Sequence, residues 1–247
     1  MLRSEMRRIW RRKVSVLIFL GGLLMLLRPL LVQLPDLSRY SFFELYMFAF
    51  AVGDFTPFAA LFPSAVISTV FAEDYLSGTI RMALIRTGRK RYARNRIIST
   101  IVLGGGMMAF YVILVLIVGA IFAKSPDSAE GYAKTLTLWG RYDLALRYGG
   151  ALMYAGKVLL AFLFGAVWGL FGLVVSVVTT NVYSTTIVPL GVYMALWYFL
   201  DMNPLNPIYL LRGDSTILPS IGFVFAVQLS AVAALSILSG FLMLRKL

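Results

Sequence analysis

Two stretches of this chain hold residues whose types and spacing could do chemistry. The first is Gly149-Gly150 followed by Gly156-Lys157, which superficially looks like a phosphate-binding loop. A working loop has four residues between its first glycine and Gly-Lys, then a Ser or Thr for magnesium. Gly150 lies one position too early and Val158 stands where the hydroxyl belongs, so no nucleotide site is read on this chain. Lys157 is expected instead to snorkel from the end of an apolar segment, with a place along a substrate path as the alternative. Arg28, followed by Pro29, reads in the same two ways: reaching for lipid headgroups, or lining a path. The second stretch is "EDYLSGTIRMALIRTGRKRYARNR", residues 73 to 96. It concentrates seven cations, the adjacent acids Glu73 and Asp74, and the motif Gly78-Thr79-Ile80-Arg81.

What is missing narrows the chemistry further. The chain has neither histidine nor cysteine. Disulfides, thiolate or imidazole metal sites, and Cys-His or Ser-His catalysis are therefore excluded. An enzyme working within a membrane would need paired acids or such nucleophiles at depth, and no acid pair lies in the middle of an apolar run. No catalytic, cofactor-binding or metal-ligating residue is assigned.

The elements that must position the charged stretch are apolar. Of 247 residues, 60% are hydrophobic and only 14% charged, with a mean hydropathy of +0.84. Soluble domains carry about a quarter of charged residues. Runs of about 20 apolar residues recur, the length that crosses a hydrocarbon core roughly 30 Å thick. Six spans are read: 14–34, 56–75, 97–123, 151–178, 184–200 and 218–244. Each is expected to be helical, because lipid offers backbone polar groups no partner outside a helix or a closed barrel. The fold class is thus an all-α polytopic membrane protein, one transmembrane domain over 1–247. The basic residues before the first span lead to no A-x-A-like cleavage site, so that span is expected to be retained.

Charge distribution sets the expected topology. Six cations precede Val14, seven lie in 73–96, and Arg245 and Lys246 close the chain, against the acids Glu5, Glu73 and Asp74. The remaining segments balance eight cations with eight acids. By the lysine and arginine bias of short loops, both termini and residues 73–96 are expected on the cytoplasmic side. The net charge of +12 therefore speaks for a membrane rather than for nucleic acid. Leu2, Met6, Ile9 and Trp10 share one helical face, so residues 1–13 read as an amphipathic helix on an anionic leaflet. Ser41 to Val52 reads as a short helix at the outer surface, its aromatic residues suited to an interfacial belt. Gly165-x-x-x-Gly169 with Gly172, and the ridge Ala226, Ser230 and Ala234, read as helix-packing signals.

Within the charged stretch, Gly78 and Gly88 bracket Thr79 to Thr87. Ile80, Ala83, Leu84 and Thr87 share one face of that segment. Glycines terminate helices and Thr79 suits a cap, so a short helix over 79–87 is expected, with Ile80 and Leu84 turned toward another protein. In these features the chain resembles the permeases of the type-2 ABC transporter family. Members commonly end the second span on an acid, follow it with a Gly-Thr-hydrophobic-Arg segment, and reach the third span through a basic stretch. Glu73 and Asp74, Gly78-Thr79-Ile80-Arg81, and Arg89 to Arg96 occupy those places, Gly88-Arg89 standing where the family often shows Ser-Arg. The segment "NPIYLLRGD", 206 to 214, also looks like the family.

The resemblance implies a coupling helix over 79–87, resting on a separate ATPase subunit that binds ATP and magnesium. ATPase coupling then falls to Glu73, Asp74, Gly78, Thr79, Ile80, Arg81, Leu84, Gly88 and Arg89. It further implies two ATPases, a second permease that is identical or related, and export across a bacterial cytoplasmic membrane. Because lipid surrounds the spans and the outer segments are too short for a large domain, the expected cargo is an amphiphile such as a peptide antibiotic, a lipid or a drug-like molecule. The alternatives are an ion-coupled secondary transporter, which would need ionisable groups near the bilayer midplane, and a structural or sensing subunit without transport.

Overall fold

A computed structural model describes residues 9, 12–32, 45–46, 49–50, 54–122, 150–213 and 217–247, with the backbone alone at 150–153. Most of the expected surface helix over 1–13, most of 41–52, the outer segment 124–149 and the Gly149 half of the phosphate-loop lookalike lie outside the described residues. Six described helices are long and apolar enough to cross a membrane, and no strand occurs among the described residues. The chain is a multi-pass membrane protein.

The first span, α1, runs Lys13–Val32, and its 20 residues rise by about 30 Å. The second, α2 (Thr56–Leu76), is composite. It opens with a 3-10 turn at Thr56–Phe58, widens into a π-helical stretch at Ser64–Ser68, and ends as a regular helix over Thr69–Leu76. Pro63 cannot donate to the carbonyl one turn back and crowds it, which loosens this part of the ladder. Side-chain hydroxyls take up carbonyls there: Ser64 Oγ donates to Ala60 O at 2.8 Å and Thr69 Oγ1 to Ala65 O at 3.0 Å. In hydrocarbon those carbonyls have no water to turn to.

A short helix, α3 (Thr79–Thr87), follows, then α4 (Arg89–Phe122) of 34 residues. At 1.5 Å per residue α4 measures about 50 Å, well over the hydrocarbon thickness. The basic residues 89–96 are thus the first two turns of the third span's own helix, where the sequence reading began that span at Ile97. The fourth to sixth spans are α5 (Gly150–Thr179), α6 (Val182–Phe199) and α8 (Ile221–Lys246), with a six-residue α7 (Pro207–Arg212) between the last two.

The fourth span is the hub. It packs against α2, α4, α6, α7 and α8. Lipid tails are as apolar as leucine, so helices associate in a bilayer through close backbone approach rather than through the hydrophobic effect. The glycines supply that approach. A Cβ built on Gly165 would lie 2.2 Å from the Gly104 carbonyl oxygen, and one on Gly105 would lie 2.7 Å from Phe162 O. Gly172 faces Ser68, whose Oγ donates to Gly169 O at 2.7 Å and ties α2 to α5. The small-residue signal in the fourth span therefore works as read. The ridge Ala226, Ser230 and Ala234 does not: all three are exposed on the outer side of α8, away from the bundle.

Aromatic rings fill the space nearer the other end. Phe55 stacks on Phe62 at 5.1 Å and Tyr111 meets both edge-on. Tyr111 Oη donates to Phe19 O at 2.9 Å, joining α4 to α1, and Tyr193 Oη donates to Thr56 O at 2.6 Å, joining α6 to α2. Tyr46 and Phe50, two of the rings assigned to an interfacial belt, are buried in this same core. Their neighbours in the bundle, not headgroups, take their apolar surface.

Candidate functional site

The charged stretch forms one end of the bundle. Helix α2 stops at Leu76, and Ser77 N–H closes its last turn on Glu73 O at 2.9 Å. Gly78 then adopts φ +71°, ψ 0°, a left-handed conformation that costs an L-residue about 1–2 kcal/mol. The chain turns and α3 begins at once. At its other end Gly88 has φ +73° and ψ 154°, a region reached almost solely by glycine. A Cβ at either glycine would meet open space, so backbone conformation and not room selects the residue. Helix α3 spans Thr79–Thr87, as the bracketing glycines predict. Thr79 is not its cap, however. Gly78 occupies the cap position, and the Thr79 hydroxyl pairs with Ser77 Oγ at 2.8 Å.

The faces of α3 correct the sequence reading more deeply. Ile80 is only 5% exposed and belongs to one buried cluster with Phe71 of α2, Tyr92 and Ala93 of α4, Leu170, Leu173 and Val177 of α5, and Met243 of α8. Ala83 and Leu84 lean on the same cluster. The stripe expected to face a partner is therefore turned inward, because the helix ends around it supply an apolar seat. Outward point Met82, 63% exposed, and Ile85, 82% exposed, one turn apart. Arg81 and Arg86 flank them, and Arg89, Lys90, Arg91 and Arg94 continue the exposed charge onto α4.

An ion pair at one terminus of the bundle and a charged hydrogen bond at the other fasten this end. Glu73 pairs with Arg12, just before α1. Asp74 is buried. The Lys246 ammonium donates to the Val177 carbonyl at the end of α5 and lies 5.1 Å from the centre of the Tyr75 ring. Cations near a helix C-terminus are favoured by its free carbonyls and dipole. Arg12, Lys13, the seven cations of 73–96, Arg245 and Lys246 thus gather at one end with both ends of the six-span bundle. An even number of spans requires that coincidence.

The two residues assigned to a substrate path sit toward the other end. Arg28 remains exposed and pairs with Asp54, beside a shallow groove lined by Leu24, Met25, Leu31 and Val32. Lys157 does not snorkel. It is 4% exposed, its ammonium donates to the Arg212 carbonyl at the end of α7, and it lies 5.3 Å from the Tyr46 ring centre. A carbonyl left free at a helix end and an aromatic face together replace the headgroup that a snorkelling lysine would seek. The sequence reading missed a further capping residue. Asn206, fully buried, donates to Trp197 O at 3.1 Å and Leu200 O at 3.2 Å while accepting from Ile208 N–H at 3.0 Å, so it joins α6 to α7. Asn before Pro is the signal that could have shown it, being the pattern of a capping residue before a first-turn proline.

No protein family, curated protein or solved structure matches this chain in comparison.

Proposed function

We propose that this chain is the membrane-spanning permease subunit of an ATP-driven exporter of the type-2 ABC class. The reading rests on one observation above all: a nine-residue helix held between two glycines of positive φ at the basic end of a six-span bundle. That helix presents Met82 and Ile85 outward beside the exposed Arg81 and Arg86. Two exposed apolar side chains among charges suit a helix that docks on another protein. In this proposal the partner is a separate ATPase, two copies per complex, that binds ATP and magnesium. The basic end is cytoplasmic by the loop-charge rule, and the membrane is the bacterial cytoplasmic one.

Glu73, Asp74, Gly78, Thr79, Ile80, Arg81, Leu84, Gly88 and Arg89 shape and seat the coupling segment. The buried Ile80 and half-buried Leu84 key it into the spans, while Met82 and Ile85 make the contact. A second permease, identical or related, completes the complex, and the cargo is an amphiphile that reaches the bundle from lipid. The middle of every span lacks Asp, Glu, Lys and Arg, which disfavours coupling to an ion gradient. The test is co-purification from native membranes of the tagged chain with an ATPase, followed by transport that stops when ATP is withdrawn. A chain that transports on an ion gradient alone would overturn the proposal.

A further inference from the structure

The side of the bundle that faces lipid carries an open groove of about 630 Å³ between α1 and α4, floored by α2. Its walls include Ser15 and Val16 of α1, Val66 and Ile67 of α2, and Gly106 and Phe110 of α4. Val102, Gly106 and Phe110 are exposed along one side of it, and a Cβ on Gly106 would meet nothing within 4 Å. The groove is therefore open to what surrounds the spans, and in a bilayer that is lipid tail. Its volume is roughly four times that of an apolar cavity that takes a benzene ring, about 150 Å³. From Val102 to Phe110 the helix rises by about 12 Å. That is close to half of a hydrocarbon core roughly 30 Å thick, so the groove has the length of a tail from one leaflet. Left unfilled, both walls would forfeit dispersion contacts.

The two ends of the groove differ, and the difference selects the lipid. At one end lie Phe19 and Phe110, their ring centres 5.7 Å apart. At the other lie Ile9 and Ser15, where the chain enters α1 through Arg12 and Lys13. Lys13 is exposed and stands one turn from Val16. On α4 the stripe that holds Val102 continues back through Ile98 to the exposed Arg91. The acids nearby do not cancel this charge: Glu73 is held by Arg12, and Asp74 is buried. Among the described residues, the exposed charged side chains at this end are all cations. Cations placed where a tail leaves the hydrocarbon favour an anionic headgroup.

We infer that this groove binds one anionic phospholipid from the leaflet at the basic end. Its tail lies between α1 and α4 on Val66 and Ile67, and its phosphate meets Lys13 and Arg91. The tail thus rests on the π-helical stretch of α2. The site stands whether or not the chain is an exporter subunit.

The test uses the full chain in nanodiscs of phosphatidylcholine. Phosphatidylglycerol or phosphatidylcholine, each with the same photoactivatable diazirine midway along one tail, is added at equal mole fraction, and labelled peptides are mapped by mass spectrometry. On the parent chain, phosphatidylglycerol should label Val16 to Phe19 and Val102 to Phe110 at least about fivefold more than phosphatidylcholine does, the scale of one cation's attraction to anionic lipid. Lys13→Gln with Arg91→Gln should remove that preference and leave labelling by phosphatidylcholine unchanged. Gly106→Phe should clear the groove of both lipids, while the exposed face of α8 at Leu229 and Ile237 labels as before. Equal labelling on the parent, a preference that survives the paired Gln substitutions, or wall labelling unchanged by Gly106→Phe would overturn the site. So would wall labelling no stronger than that of α8, which is what cover by another part of the protein would give. Should Gly106→Phe not fold, the two lipids on the parent and on the Gln variant decide.

Discussion

The two faces of α3 give opposite expectations for substitutions two to five residues apart. Met82 and Ile85 are 63% and 82% exposed, so changing both to Asp should alter the stability of the chain by no more than about 0.5 kcal/mol, as for most surface positions. Docking is another matter. A fully buried apolar side chain is worth roughly 1.5–3 kcal/mol, so covering the exposed fractions of both contributes about 2–4 kcal/mol to the contact. Losing it weakens association by about 30- to 1,000-fold, before any cost of burying two carboxylates. Ile80→Ala reverses the pattern. It empties a seat shared by α2, α4, α5 and α8 and should lower stability by about 2–4 kcal/mol. The assay is paired: co-purification of the ATPase with each variant, and thermal unfolding of each variant alone in detergent. Met82→Asp/Ile85→Asp should unfold like the parent and lose the ATPase; Ile80→Ala should melt early. A double variant that keeps its ATPase would refute the docking face. Loss of the ATPase in Ile80→Ala with unchanged unfolding would show that the inward face is the contact after all.

Three further expectations follow from the geometry. Gly165→Ala should part α4 from α5, because its Cβ would meet the Gly104 carbonyl, and lower stability by about 1–3 kcal/mol; Gly106→Ala, with open space around it, should not, and tryptophan-monitored unfolding separates the two. Gly88→Ala should cost about 1–3 kcal/mol through backbone strain at φ +73°, read as earlier proteolysis at the junction of α3 and α4 with the spans intact. In the chain, which has no cysteine of its own, Asp201→Cys should react with an impermeant maleimide on intact cells and Ser77→Cys only after permeabilisation; the reverse pattern would invert the topology.

Much of this fold was legible because the bilayer imposes a length. All six spans were placed from apolar runs, and their ends differ from the observed helices chiefly at the third, where Arg89 to Arg96 continue the helix instead of leading into it. Hydropathy sees where a helix leaves the hydrocarbon, not where its hydrogen bonds stop. The bracket of α3 was legible for a different reason. Gly78 and Gly88 are needed for their backbone conformations, and that requirement is written in the residue type. What periodicity could not supply was direction. Ile80 and Leu84 form an apolar stripe whether the seat is a partner or the chain itself, and only the placement of Phe71, Leu173 and Met243 decides it. Lys157 escaped for a similar reason, since the carbonyl it meets belongs to α7, 55 residues away.

The inward turn of Ile80 changes how a docked ATPase would act on the spans. A coupling helix attached only through its flanking glycines would be a loose tether, free to swivel at Gly78 and Gly88 without disturbing the bundle. Here the same short helix holds Met82 and Ile85 outward and Ile80 inward, where Ile80 joins a buried cluster to which α2, α4, α5 and α8 all contribute. A displacement imposed at the outer face must therefore either drag that seat or expose Ile80. Exposing a buried isoleucine costs roughly 1.5–3 kcal/mol, so small displacements are carried into α2, α5 and α8 rather than absorbed at the glycines. The second span is the element among these with the least regular backbone, its π-helical stretch at Ser64–Ser68 running directly into the Thr69–Leu76 segment that carries Phe71. A wide turn of that kind can tighten or relax by one hydrogen-bond step without unfolding the helix. If an ATPase docks on α3 as proposed, motion there would enter α2 by way of the cluster that holds Phe71 and be accommodated at that turn, where Ser68 ties the span to Gly169 at the hub.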